Sequence, residues 1–450
     1  MALSKETGIK ETASLWTISY FSKTVSKEVL DMTQKKRRII ISLSVLCALV
    51  IFTFLTVTVW FHYIPVGGNT NSFFTEDKLV QWTAEDMLSV SENRIVKGNG
   101  EEIILSGVNL GGWLLQEYWM CPVKGSDTVE FWTYLETLQV LEERFGFEDA
   151  QKLVESYEDN WITEEDIHRI AEIGCNVIRV PFWYRNFMKD SGGRWITEDM
   201  DDNPGFKRLD WVIEMAEKYG LYVILDMHGC PGGQSTDHCA GSARKCELFS
   251  DSLYQDVMEK LWVAIAQRYQ GNPTVAAYDI MNEALIAADS VETDPRNLVY
   301  DRMMKAIRKV DSEHMIIVEG IWTLDALPEP AESGWSNVIY AVHLYGHEDV
   351  ETVCSSYRDY SEKHNIPVYI GEYSDMEFLK YCREMGINST SWTYKGNQKM
   401  EDTWFMYYAD RMLAANVCQD PYWLIKLKWG NCLKTKYMIE NDATLSYWKQ

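Results

Sequence analysis

In the stretch 277–285, Ala-Tyr-Asp-Ile-Met-Asn-Glu-Ala-Leu, an apolar-leaning run stops abruptly at two polar residues, Asn282 and Glu283. A second glutamate, Glu372, closes the short run Pro-Val-Tyr-Ile-Gly-Glu at 367–372. Strands of a barrel core end this way where they hand over to catalytic loops. A carboxylic acid beside an amide suits proton donation to a leaving oxygen. Two carboxyl groups in this setting point to cleavage of a glycosidic bond. A strand-end carboxylate alone does not mean catalysis, since Asp226 and Glu319 occupy similar places.

Other polar residues fall in the same register. Arg179 interrupts the apolar run Val-Ile-Arg-Val-Pro at 177–181. An arginine there must be paired, and a carboxylate at a barrel centre is the natural partner. His228, His343, Tyr345 and Trp392 each close a candidate strand. A lone histidine at a strand end is more often a hydrogen-bonded structural residue, so the joint pattern carries the argument.

The elements that must hold these residues read as eight short strands, at 105–109, 176–181, 222–227, 275–281, 315–319, 338–343, 368–371 and 389–392. Each is largely apolar and often β-branched, as buried parallel strands are. Helical spacing fills the gaps: Leu209, Val212, Ile213 and Ala216 recur at i, i+3, i+4 and i+7, with Gly220 at the C-cap position. Thr163 and Asp166 form a capping-box pattern. A hairpin at 94–96 and 103–105, around the turn 97–100, reads as a lid on the barrel floor. The pattern predicts a helix over 400–417 that closes the ring; 418–450 is a Trp-rich tail without a motif. The fold class is α/β, a (β/α)8 TIM barrel preceded by a single transmembrane helix. An open doubly wound sheet is the competing fold, and no GxGxxG follows the first strand.

The chain has 450 residues, 46% of them hydrophobic, and a formal net charge of −24. The apolar share supports a sizeable core. The acidic balance argues against a nucleic-acid partner and gives no support to a polyanionic substrate. Residues 39–64 form an almost uncharged run, longer than the roughly 20 residues that a membrane span needs. The run starts too late and lasts too long for a cleaved signal peptide. Lys35, Lys36, Arg37 and Arg38 precede it and place the N-terminus in the cytoplasm. Trp60, Phe61 and Tyr63 suit the outer interface. A buried core helix fits the length and flanks less well. The reading is a single-pass type II anchor, with a cytoplasmic tail at 1–38, a stalk and lead-in at 65–93, and the barrel with its tail at 94–450, extracellular or lumenal.

Ten cysteines are present, Cys47 within the apolar run. The other nine are an odd number, so at least one is unpaired or pairs with another chain. Cys175 reads as a buried thiol. Cys230, Cys239 and Cys246 crowd one loop, where a disulfide is expected in an oxidising compartment. Zinc is the competing reading, with His228 and His238 nearby, but no CxxC pair supports it. No metal or cofactor is expected. The sequon at Asn388 falls in a candidate core strand, which argues against glycosylation.

The motifs 107–113 (Gly-Val-Asn-Leu-Gly-Gly-Trp), 161–166 (Trp-Ile-Thr-Glu-Glu-Asp), 176–181, 225–229, Asn282-Glu283 and Gly371-Glu372 occur in order at barrel spacing. With them the chain resembles retaining glycoside hydrolases of family 5, in the cellulase-like clan, and most of all the fungal-type exo-β-1,3-glucanases. The resemblance covers roughly residues 94–395. It implies Glu283 as general acid/base and Glu372 as nucleophile. It places Arg179, His228, Asn282, His343 and Tyr345 in the active-site shell and Trp392 as a sugar platform. Glu117 matches a carboxylate that holds hydroxyls of the terminal glucose. In these roles Arg179 and Tyr345 hold the Glu372 pKa low, and Glu283 starts protonated. Asn282 meets the sugar 2-hydroxyl, and the two carboxyl groups stand about 5–5.5 Å apart.

One loop departs from the glucanase pattern. After His228 those enzymes read His-Gly-Ala-Pro-Gly-Ser-Gln-Asn-Gly. Here the chain reads His-Gly-Cys-Pro-Gly-Gly-Gln-Ser-Thr-Asp at 228–237, then a cysteine-bearing insertion. The expected function is a glucan exo-1,3-β-glucosidase acting on β-glucan or an oligosaccharide outside the cytoplasm. Alternatives are a β-glucosidase or endo-β-glucanase of other linkage or glycolipid specificity, and a catalytically silent membrane-anchored carbohydrate receptor.

Overall fold

The computed structural model describes residues 38, 39, 41–45, 47, 80, 82–129, 132–286, 288, 290–400, 404–409 and 414–449. The expected cytoplasmic tail up to 37, most of the expected anchor at 39–64 and the first part of the expected stalk, 65–79, lie outside them. The described positions within 39–64 are helical. Among the described residues no helix is long and apolar enough to cross a membrane.

The compact unit Pro65–Gln450 is built around eight parallel strands. In chain order these are β1 (Ser106–Asn109), β2 (Val177–Trp183), β3 (Tyr222–Gly229), β4 (Val275–Asp279), β5 (Met315–Ile321), β6 (Val338–Leu344), β7 (Val368–Tyr373) and β8 (Asn388–Ser391). They close into a barrel, with β8 beside β1 and β4 beside β5. Every residue of all eight is buried, which is why they read as apolar runs rather than as alternating ones. The (β/α)8 expectation holds, strand for strand. The sequon at Asn388 lies inside the barrel, where its Oδ1 accepts from the Leu105 N–H at 2.9 Å.

The floor is closed by an antiparallel sheet of Leu88–Ser91, Arg94–Lys97 and Glu102–Ile103. Leu88 and Ile95 pack with Leu105, Val177, Tyr222 and Met315, residues at or next to the starts of the strands above. The expected hairpin is there, with one more strand than the sequence showed. Helices surround the barrel. Thr163 and Asp166 form the expected capping box on α3 (Glu164–Glu172), which follows α1 (Tyr134–Phe145) and α2 (Phe147–Trp161). In α4 (Pro204–Tyr219) the Asn203 side chain accepts from the Gly205 N–H. Gly220, at φ 74°, ends that helix in the left-handed conformation glycine adopts without penalty. The ring continues with α5 (Ser252–Tyr269), α6 (Pro295–Ile307), α7 (Val350–His364) and α8 (Glu377–Met385).

Two expectations are corrected. Residues 400–417 do not form a helix in their described part, where Tyr407–Tyr408 and Ala415–Asn416 are short strands. Their backbone pairs elsewhere: Met406 and Tyr407 donate to Tyr394 O, and Ala415 donates to Pro122 O. Later in the tail α9 (Tyr422–Asn431) packs on α2, where its Trp429 meets Tyr157 edge-on at 5.5 Å, and a last helix, Asp442–Trp448, packs on α8. The disulfide expected among Cys230, Cys239 and Cys246 is not formed; all ten cysteines are free thiols. Cys230 is turned into the core beneath β3, while the Cys239 thiol faces a carboxylate.

Candidate active site

Arg179, third in β2, sits at the centre of the strand-end residues and is fully buried. Its five N–H donors meet five acceptors. Nε donates to Asp279 at 2.9 Å. Nη1 donates to Asn109 at 3.0 Å and to Glu372 at 2.8 Å. Nη2 donates to Asn282 at 3.0 Å and to Glu319 at 3.2 Å. Asp226 adds an ion pair at 3.1 Å. Burial disfavours the charge, but Asp226, Asp279, Glu372 and Glu319 outweigh it and raise the Arg179 pKa well above its usual value. Asp279 goes the other way, pushed well above the carboxylate range by burial against the pull of Arg179. The sequence foresaw one carboxylate partner; the barrel supplies four. Asp279 was missed, although a polar residue in an apolar strand carries the same signal as Arg179 did.

Glu283 lies four residues past the end of β4, at φ 37°, in the left-handed region that strains a glutamate. Glu319 stabilises this backbone by accepting the Glu283 N–H at 2.8 Å. The side chain meets His343 Nδ1 at 2.9 Å. Across the barrel Glu372, on β7, accepts from Arg179 and, at 2.8 Å, from the Tyr345 hydroxyl. The same His343 nitrogen is 3.6 Å from Glu372, and its Nε2 is 3.2 Å from Glu319. Carboxylate oxygens of Glu283 and Glu372 lie within 4.8 Å of each other. Burial opposes the His343 charge, yet Glu319 and Glu372 raise its pKa well above the ordinary value. The imidazole thus stands among three carboxylates, which favour its charged form.

The hydrogen bonds expected for Glu372 are present, but its pKa is not low. Burial, with the charge of Glu283, raises it above the ordinary value against His343 and Arg179. Glu319 shows the opposite balance: burial is outweighed by His343, Arg179 and the Glu283 N–H, and its pKa is lowered.

The remaining expected residues line the same end. His228 Nδ1 is 2.7 Å from Asp226, and its ring stacks on Trp392 with centroids 5.3 Å apart. Burial lowers the His228 pKa less than Asp226 raises it. Asn282 Oδ1 is taken by Arg179, and its backbone carbonyl accepts from Gln234 at 2.9 Å. Glu117 is buried on the far side, where it accepts from Trp119 Nε1 at 2.9 Å and pairs with His238 at 3.3 Å. The nine expected residues thus share one end of the barrel. Sequence reasoning missed Gln234, Trp119 and Trp404, which lie in loops without a spacing signal, and read His238 and Cys239 as zinc or disulfide candidates only.

Among the described residues only Glu283, His343 and Glu372 approach each other at metal-ligand distances. His343 already contacts Glu283, Glu319 and Glu372, and Arg179 already supplies Glu372 with a cation. The cluster fits proton handling rather than a metal ion. Cys230, Cys239 and Cys246 form no such group.

The profile of the cellulase family, glycosyl hydrolase family 5, matches residues 142–416. A β-xylosidase of Phanerodontia chrysosporium is 32% identical over 265 residues, 57% of this chain and 52% of that protein. The match thus spans about half the length of that relative. A probable glucan 1,3-β-glucosidase A of Aspergillus niger is 28% identical over 306 residues, 63% of this chain and 68% of that protein. A rutinosidase structure from Aspergillus niger shares the fold, with a TM-score of 0.50 at 15% identity over 72% of this chain and 94% of that one. With a profile match over more than half its length and the barrel to go with it, the chain belongs to glycosyl hydrolase family 5 and is similar within it to fungal glucan 1,3-β-glucosidases.

Proposed function

We propose that the protein is a retaining β-glucan hydrolase, a glucan exo-1,3-β-glucosidase with Glu283 as acid/base and Glu372 as nucleophile. The observation that carries this is the placing of Glu283 and Glu372 oxygens within 4.8 Å of each other. Retaining enzymes keep their carboxyl groups about 5–5.5 Å apart, whereas inverting ones need about 6.5–9.5 Å for a water. Glu372 attacks the anomeric carbon while Glu283 protonates the leaving oxygen. Glu283 then takes a proton from the water that releases the sugar. Arg179 and Tyr345 hold one Glu372 oxygen each, which fixes the direction of attack. With Oδ1 of Asn282 held by Arg179 and its Nδ2 3.4 Å from His228 Nε2, one amide N–H is left to donate to the 2-hydroxyl. His228 and Trp392 form a stacked platform for a sugar face, and Glu117 accepts hydroxyls of the terminal sugar.

The β-1,3 linkage rests on the motifs shared with the glucanases and on the glucan 1,3-β-glucosidase relatives. The β-xylosidase relative makes a pentose the second glycone to try. The barrel is placed outside the cytoplasm on a type II anchor at 39–64, supported by the apolar run and the basic residues before it. Hydrolysis of aryl β-glucoside and β-xyloside by the purified protein, followed by NMR of the first-formed product, tests the chemistry. The β-anomer is expected. The α-anomer would sink retention, and no turnover on any β-glycoside would favour the silent receptor.

A further inference from the structure

The loop after β3, which departs from the glucanase pattern, reaches into the site. It makes one tight turn, His238–Ala240, with Asp237 as its cap. The turn is locked in place: Ala240 is fully buried, Gly241 N donates to His238 O at 3.0 Å, and Gly241 O accepts from Leu135 N at 3.0 Å. Two consecutive side chains leave it toward two different carboxylates. His238 Nε2 stands 3.3 Å from Glu117 Oε2, and Cys239 Sγ stands 3.6 Å from Glu283 Oε2.

The contacts continue from there. Glu117 Oε2 also accepts from Trp119, whose ring meets Trp404 edge-on at 5.4 Å. Trp404 stacks on Tyr345, centroids 5.3 Å apart with 10° between planes, and Tyr345 donates to Glu372. His343 joins Glu372 back to Glu283. The circuit returns to its start.

We infer that His238 and Cys239 are specificity-determining residues, which complete the wall of the blind pocket that the exo reading requires. The inference rests on the hydrolase reading above. A groove open at both ends lets an internal stretch of polysaccharide lie across the acid/base. A perimeter closed from acid/base to nucleophile admits a chain only end first. Both contacts to Glu117 fall on Oε2, and Oε1 is assigned to a hydroxyl of the terminal sugar. Deleting the two side chains opens the perimeter between Glu117 and Glu283 and takes one partner from each carboxylate.

The test compares the full-length protein with His238→Gln and a His238→Gly/Cys239→Gly double variant, on a linear β-1,3-glucan and an aryl β-glucoside. The unaltered protein is expected to release monosaccharide alone. The double variant is expected to release oligosaccharides as well, with KM for the aryl glucoside raised about tenfold. His238→Gln keeps a donor to Glu117 and is expected to keep the monosaccharide-only pattern. A double variant that turns over the aryl glucoside, with unchanged KM, and still releases monosaccharide alone overturns the proposal. If melting shows the double variant unfolded, His238→Gly is read by the same two criteria. An unaltered protein that releases a ladder overturns the blind pocket and leaves the hydrolase reading standing. One that cleaves neither substrate overturns both.

Discussion

At the scale of single residues, the guanidinium of Arg179 has an acceptor for every N–H inside the barrel, and its replacement is correspondingly informative. In Arg179→Lys one ammonium must serve carboxylates on four strands. At least one of them is left buried without a partner, which costs about 3–5 kcal/mol. Thermal melting is expected to show that loss, and an unchanged melting temperature would contradict the hub. Glu372 gives a cleaner separation of roles. Glu372→Ala removes the proposed nucleophile from a side chain position that borders the pocket, so kcat is expected to fall more than about 10³-fold with the fold intact. Near-normal turnover in that variant would refute the assignment.

At the scale of elements, two glycines on neighbouring parts of the barrel separate fold from rate. Gly107 on β1 brings its backbone so close to β2 that an added Cβ would lie 1.8 Å from Val177 O. Backbone cannot yield there, and Gly107→Ala is expected to destabilise by roughly 3 kcal/mol or more in denaturant melts. At Gly371 on β7 the added Cβ would meet a side chain instead, 2.8 Å from His343 Nε2. Gly371→Ala displaces the imidazole that joins Glu283, Glu319 and Glu372. Its expected signature is a kcat lowered about 10–100-fold with a much smaller stability change. A kcat within twofold, by about the precision of such assays, would contradict that role for His343. The eight strands were legible because burial on both faces leaves a continuous apolar run. Residues 400–417 misled because Trp404, Phe405 and Tyr407 carry a helix-like apolar spacing while their backbone pairs with 393–396 instead.

At the scale of the whole molecule, the buried charges make stability depend on pH from both sides. Glu117 and Glu319 resist burial through His238 and His343, and their pKa values are lowered. Their contribution is present above the unfolded glutamate value near 4.3 and is lost as pH falls through the folded values. Burial is likewise outweighed at His228, His238 and His343, whose pKa values are raised. Their contribution is present below the unfolded histidine value near 6.5 and is lost as pH rises through the folded values. Glu158, pushed up to about 7 by burial against Arg208, and Glu372 and Asp279, also raised by burial, cost stability as pH rises above the unfolded carboxylate value of about 4. The melting temperature is expected to peak between about pH 4 and 5 and to fall above it. A maximum above about pH 8 would contradict this balance.

The sequence by itself determined the barrel, the family resemblance and the strand-end positions of Glu283 and Glu372, because covalent order and the rhythm of burial specify where strands start and stop. It also required a partner for Arg179, since an unpaired arginine in an apolar strand is too costly. Only the tertiary structure decided which carboxylates that partner comprises, because Asp226, Asp279, Glu319 and Glu372 come from four strands that meet only when the barrel closes. The same closure reversed the expectation for Glu372. Its hydrogen bonds follow from neighbours that motifs reveal, but its pKa follows from burial and from the charge of Glu283, which exist only in three dimensions. Cys239 and His238 were legible as residues of an unusual loop; that they face Glu283 and Glu117 depends on where the loop lands.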